Sequence, residues 1–205
     1  MKILGQEDYL TMRAEARVLE ADSFGDKVLL LADGTMLKFF RRKRWLSSAA
    51  WYPYAQRFAD NAASLRQRDV RVPEVIDVFR IPSIKRDAVH YHPLLGSTLR
   101  ELRRQPLEPA AEQQLKEGFT RFLVGLHERG VYFRSLHLGN VVYTPDRQFG
   151  LIDIADVRIS DGPLRRYQRA RNLRRLQAMP EESEWVDFHR VVNGHQASSS
   201  DGLSG

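Results

Sequence analysis

The sequence predicts an α+β fold with a strand-rich first half and a helical second half. Three observations carry this. Short apolar runs punctuated by turn residues fill the chain between Val18 and Tyr91. A long helical stripe runs from Pro109 to Arg129, and a connector, Pro93-Leu94-Leu95-Gly96, lies between the two regions. Strands followed by helices, rather than alternating with them, point to two lobes with a cleft between them. A chain of 205 residues is long enough for one well-buried domain or two small lobes.

Each element has its own signal. Val18–Glu20 leads through Asp22-Ser23-Phe24-Gly25-Asp26 to Val28–Leu31, and Asp33-Gly34 then turns the chain into Thr35–Phe40. Asp-Gly between apolar runs marks a hairpin, so a three-stranded meander is expected. Ser47 or Ser48 can cap a helix from about Ala50 to Arg68, with Tyr54, Phe58, Ala62 and Leu65 on its inner face. Val75–Ile81 and Ala88–Tyr91 complete five strands. Ser97 or Thr98 can cap a short helix through Arg103. In the long helix, Leu115, Phe119, Phe122, Leu123 and Leu126 form the stripe, and Gly130 stops it. Two short strands, Val141–Tyr143 and Leu151–Ile154, flank Pro145-Asp146. A basic helix near Leu164–Leu176 follows, then a short helical piece near Glu182–Val192 and a polar tail around Ser198-Ser199-Ser200, expected to be disordered.

Composition narrows the function classes. There are no cysteines, which excludes a disulfide framework and thiolate metal sites and fits a reducing compartment. Gln6, Glu7 and Asp8 interrupt the apolar core that a signal peptide needs, and no apolar run approaches the roughly 18 residues of a spanning helix. A cytoplasmic location is expected. The net charge of +6 is uneven. It concentrates in Arg41-Arg42-Lys43-Arg44 and in Arg165, Arg166, Arg169, Arg171, Arg174 and Arg175, clusters that favour phosphates, acidic headgroups or nucleic acid, or that form a solvated basic face. Nucleic acid fits least, because no aromatic beyond Tyr167 interleaves with these arginines as stacking requires.

The chemistry concentrates in Gly130-Val131-Tyr132-Phe133-Arg134-Ser135-Leu136-His137-Leu138-Gly139-Asn140 and in Gly150-Leu151-Ile152-Asp153-Ile154-Ala155-Asp156. These segments resemble the catalytic loop and metal-binding segment of the protein-kinase superfamily, where His-Arg-Asp is followed five residues later by Asn, and Asp-Phe-Gly closes the set. Ser135 to Asn140 is five residues, and Asp153 lies thirteen further on. Leu136-His137-Leu138-Gly139-Asn140 resembles the version in small-molecule kinases, and His90–Leu99 resembles their hinge. Over about residues 15–178 the chain is most similar to the lipopolysaccharide-core (Kdo/heptose) kinases, in a short offshoot labelled toluene tolerance proteins.

The resemblance implies a protein-kinase-like fold forming one domain overall. Its parts would be a five-stranded lobe over 1–91, a reduced helical lobe over 92–192 carrying the catalytic-loop hairpin, and a disordered tail over 193–205. It implies ATP and magnesium as cofactors. Asn140 and Asp153 would be the metal ligands, because metal ions bridging nucleotide phosphates need hard oxygen donors. Lys38, on the third strand, would hold the phosphates, with Gly25 at the phosphate-covering turn and Tyr91 at the hinge as further nucleotide contacts. Arg134, Ser135 and His137 are the catalytic candidates. His137 either fixes the loop or substitutes as a base, and Asp156 is either a second acidic ligand or a helix cap.

The implied reaction is ATP-dependent phosphotransfer to a hydroxyl of a lipopolysaccharide-core sugar or related glycan. Arg165, Arg166 and Arg169 would meet that sugar or anionic lipid headgroups peripherally at the inner membrane. The departures are specific. Ser135 replaces the catalytic aspartate, Phe133 the preceding histidine, and Asp-Ile-Ala the Asp-Phe-Gly. Phe58 or Asp60 stands where a glutamate would pair with Lys38. A slow kinase and a pseudokinase scaffold in envelope biogenesis are both compatible with these changes.

Overall fold

The computed structural model describes residues 1–42 and 52–194. The expected helix caps at Ser47 and Ser48, the end of the first basic cluster, and the serine tail lie outside the described residues. The chain divides into two compact units. The first comprises residues 1–67, 72–94 and 153–156; the second comprises 68–71, 95–152 and the described residues from 157 onward. The segment 153–156 therefore belongs with the strand-rich unit, although the sequence reading places it in the helical half.

The first unit is built on a six-stranded sheet, one strand more than expected. The strands are β1 (Lys2–Ile3), β2 (Arg17–Asp22), β3 (Gly25–Leu30), β4 (Met36–Arg41), β5 (Glu74–Ile81) and β6 (Arg86–His92), in the order β1-β5-β6-β4-β3-β2. The expected meander β2-β3-β4 is antiparallel, as are β4 with β6 and β5 with β6. The added strand, β1, runs parallel to β5.

Period-2 alternation sorts side chains onto the two faces of the sheet. Leu29, Leu37, Phe39, Ile81 and Ala88 pack on one face with Leu4 and with Tyr9 of α1 (Gln6–Ala14). The other face carries Lys38 and Phe40 and is covered by α2 (Tyr54–Arg66), which buries Ala55, Phe58, Ala62 and Leu65. Tyr54 is only half-buried, its ring stacked 6.3 Å from Phe40.

The second unit holds α3 (Leu99–Arg103), α4 (Pro109–Glu128), α5 (Arg166–Gln177), α6 (Pro180–Ser183) and α7 (Phe188–Asn193). Thr98 caps α3 reciprocally with Glu101, which explains so short a helix. Gly130 ends α4 at φ +74°, and a Cβ there would lie 2.3 Å from the Ser160 carbonyl oxygen, so only glycine fits. The expected first strand is β9 (Val141–Tyr143), but its partner β10 is Phe149–Leu151 and not Leu151–Ile154, since Ile154–Asp156 forms a 3₁₀ turn; β7 (Ser97–Thr98) completes a three-stranded sheet. A two-stranded ribbon of β8 (Val131–Phe133) and β11 (Val157–Ile159) flanks the loop that the sequence singles out.

Candidate active site

In the first unit, Lys38 and Asp153 meet. The Lys38 Nζ donates to Asp153 Oδ1 at 2.6 Å, so the lysine that lacked a partner in the sequence has one. Lys38 projects from the centre of β4 on the face that α2 covers, and its side chain is 19% exposed against 46% for Asp153. Asp153 adopts φ +55°, a left-handed conformation that non-glycine residues seldom take. The 3₁₀ turn Ile154–Asp156 that follows packs on α2, where Asn61 Nδ2 donates to the Ile154 carbonyl oxygen at 2.7 Å. Asn61 was not among the sequence candidates; one amide on a helix carries no pattern. Neither Phe58 nor Asp60 pairs with Lys38. Phe58 is buried 5.4 Å from the Tyr91 ring, and Asp60 accepts from the Tyr52 hydroxyl at 2.7 Å.

The other nucleotide candidates are also placed. Gly25 sits at φ +109° in the β2–β3 turn. The buried Arg86 guanidinium donates to the carbonyl oxygens of Asp26, at 2.7 Å, and Phe24, so this turn is pinned from below. Tyr91 is buried beneath α2, and burial pushes its hydroxyl pKa upward, with the nearby Asp153 carboxylate adding to the effect.

In the second unit, the loop 134–140 is held by a side-chain bond within itself and by Arg100 and Glu182 from outside it. Asn140 is buried and its Nδ2 donates to the Ser135 carbonyl oxygen at 2.9 Å, which leaves Oδ1 as the acceptor that a cation would use. His137 Nδ1 lies 3.2 Å from Arg100 Nη2. Arg100 donates through Nε (2.8 Å) and Nη2 (2.6 Å) to Oε1 of the buried Glu182, while Glu182 Oε2 accepts from the Leu138 amide at 2.8 Å. The guanidinium lies so close that a Cβ on Gly139 would approach Arg100 Nη1 to 2.9 Å. Glu182 and Arg100 are thus positioning residues for the loop. Sequence reasoning missed both, because they lie far from it along the chain.

A buried chain of bonds supports the strand before the loop. His127 Nε2 donates to Asn172 Oδ1 at 3.0 Å, and Asn172 Nδ2 donates to the Phe133 carbonyl oxygen at 2.6 Å. Burial lowers the His127 pKa to about 4, with the nearby Arg169 charge adding and the Asn172 bond opposing, so the ring is neutral near pH 7.

Arg134 is exposed and Ser135 half-buried. The Ile152 amide donates to the Asn140 carbonyl oxygen at 3.0 Å, which fixes the chain at the residue before Asp153. On the basic helix, Arg165 and Arg166 are exposed, but Arg169 is only 9% exposed and its Nε donates to the Leu164 carbonyl oxygen at 2.9 Å. Arg169 therefore points into the fold and not toward a surface partner, a correction: its side chain folds back onto the residue before the helix cap. Among the described residues no group of three or more histidine or carboxylate side chains converges as a metal cage, and no helix is long and apolar enough to cross a membrane. Magnesium commonly takes only one or two protein carboxylates alongside nucleotide phosphates and water, and the Asp153 carboxylate and the Asn140 amide oxygen are each a donor type that it accepts.

No protein-family model matches the chain, and no curated protein matches it.

Proposed function

We propose that this chain is a protein-kinase-like, ATP-dependent phosphotransferase acting on a hydroxyl of a lipopolysaccharide-core sugar or related glycan. The observation that carries the reading is the Lys38–Asp153 contact. A lysine on a central strand and a carboxylate after a short hairpin are the two groups that phosphate handling requires, and they are in hydrogen-bond contact. In this reading Lys38 exchanges Asp153 for nucleotide phosphate oxygens, and Asp153 and Asn140 are the residues that would hold magnesium. When bound, magnesium supplies positive charge to neutralise the transferred phosphoryl group. Ser135 orients the acceptor hydroxyl, and the Asn140 bond to its carbonyl oxygen holds it in place. Arg165 and Arg166 meet the anionic sugar or headgroup from the cytoplasmic side of the inner membrane, as exposed arginines at the start of α5.

Transfer is slow in this reading, because loss of a general base costs about 10²- to 10⁴-fold. A second reading rests on the same serine together with the β2–β3 turn. A turn pinned by Arg86 and a loop without a carboxylate at position 135 suit a nucleotide-binding pseudokinase scaffold. Phosphate transfer from ATP and magnesium, with and without purified core oligosaccharide, separates the two. The kinase reading expects phosphorylated oligosaccharide above the level given by Asp153→Ala; equal signals leave only the scaffold.

A further inference from the structure

The β8–β11 ribbon and α5 enclose a groove of about 410 Å³ within the second unit, away from the residues assigned to phosphotransfer other than Arg134. Its walls follow from pattern. Val131, Phe133 and Val157 point into the core, which turns Tyr132, Arg134 and Arg158 outward; Arg158 stands opposite Tyr132 in the ribbon. On α5, Asn172, Leu173 and Leu176 are buried, while Tyr167 and Arg171, one turn apart, line the groove.

Three guanidiniums therefore face one concavity, and no acidic side chain lines it. All three are exposed, and among the described residues none forms an ion pair. Elsewhere this chain pairs its arginines readily: Arg13, Arg71, Arg80, Arg100 and Arg103 all hold carboxylates. Like charges gathered without counter-charge repel one another, and an anion entering between them relieves that repulsion. Guanidinium forks match the oxygens of a phosphate better than a point charge does. The volume is within the range that holds a small ligand, and two tyrosine faces offer an apolar surface to a ring.

We propose that this groove is a binding site for a small phosphorylated sugar, with Arg134, Arg158 and Arg171 on the phosphate monoester and Tyr132 and Tyr167 against the sugar ring. Lys38 and Asp153 take no part in this site, and Arg134 is the one residue that it shares with the phosphotransfer reading.

Calorimetric titration of the full chain tests it with three probes: glucose 6-phosphate, inorganic phosphate and glucose. Glucose 6-phosphate is expected to bind saturably and more tightly than inorganic phosphate, and glucose not at all. Removing each charge-assisted contact should weaken binding roughly tenfold, so Arg158→Gln/Arg171→Gln should lose on the order of 100-fold with an unchanged circular dichroism spectrum. Lys38→Met should bind glucose 6-phosphate as the wild type does, which separates this site from the nucleotide reading. Tyr167→Ala should weaken glucose 6-phosphate while leaving inorganic phosphate unchanged. Equal affinity for inorganic phosphate and glucose 6-phosphate would overturn the sugar assignment. No saturable binding of either, or binding indifferent to the two arginine substitutions, would overturn the site itself. A single-stranded oligonucleotide that binds through Arg158 and Arg171 more tightly than glucose 6-phosphate would also overturn it.

Discussion

Lys38 and Asp153, 115 residues apart in the chain, share a hydrogen bond of 2.6 Å. Both side chains retain solvent contact, so the pair contributes at most about 1 kcal/mol to stability. Its geometry is the more informative property. Asp153 is held at φ +55°, and the turn after it is anchored by Asn61, so the carboxylate is presented by a defined backbone and not by a loose loop. Left-handed conformations outside glycine cost about 1 to 3 kcal/mol and persist where surrounding structure enforces them, often at functional positions.

The Glu182 carboxylate is expected to be a strong determinant of both stability and the loop. It is buried, and it receives two bonds from Arg100 and one from the Leu138 amide. Glu182→Ala leaves a part-buried guanidinium and a buried amide without an acceptor. Because Arg100 keeps 35% of its side-chain exposure, the expected loss is about 2 to 3 kcal/mol, below the range for a fully buried pair. Urea denaturation should show a lower midpoint with an unchanged slope, and Glu182→Gln, which keeps the acceptor oxygen, should lose less.

Stability should also depend on pH through His127. Its pKa is about 4 in the fold against an ordinary value near 6.5. Between those values the unfolded chain binds more protons than the folded one, so stability rises with pH across this window. The contribution is full above about pH 6.5, falls as the pH drops toward 4, and totals on the order of 3 kcal/mol. Denaturation midpoints of wild type and His127→Gln across pH 4 to 7 check this. The wild-type curve should be steeper in that interval, even though the variant starts from lower stability.

Ser135→Asp separates the two functional readings. If nucleotide and acceptor are already positioned, a carboxylate at 135 supplies a general base and single-turnover transfer should rise, by at most about 10²- to 10⁴-fold. If the pinned β2–β3 turn leaves the phosphates misplaced, restoring one carboxylate rescues nothing, since a misplacement of about 1 Å can itself cost 10²-fold.

Local chemistry made much of the architecture legible. The Asp33-Gly34 turn gave away the β3–β4 hairpin, the 115–126 stripe the long helix, and Thr98 the short one. β1 was missed because a two-residue parallel strand has no periodicity to read. α1 was missed because it buries only Tyr9, although Glu7 and Asp8 in its first turn and Arg13 in its last were signals that could have found it. The partners of the site residues were illegible for a different reason. Lys38–Asp153 and Arg100–Glu182 join positions 115 and 82 apart, and no local rule encodes such pairings. Arg169 was misassigned because its spacing from Arg165 and Arg166 puts all three near one helix face, and only the packed fold shows that it turns back to the Leu164 carbonyl oxygen while the other two stay exposed.

In the proposed reading Asp153 and Asn140 would hold magnesium while Lys38 holds the phosphates. ATP affinity of the wild type and of Asp153→Ala, each measured with magnesium and with a chelator, tests it most directly. The wild type is expected to bind ATP more tightly with magnesium, and Asp153→Ala to remove most of this gain while changing metal-free binding far less. Equal wild-type affinity with and without the metal would contradict it.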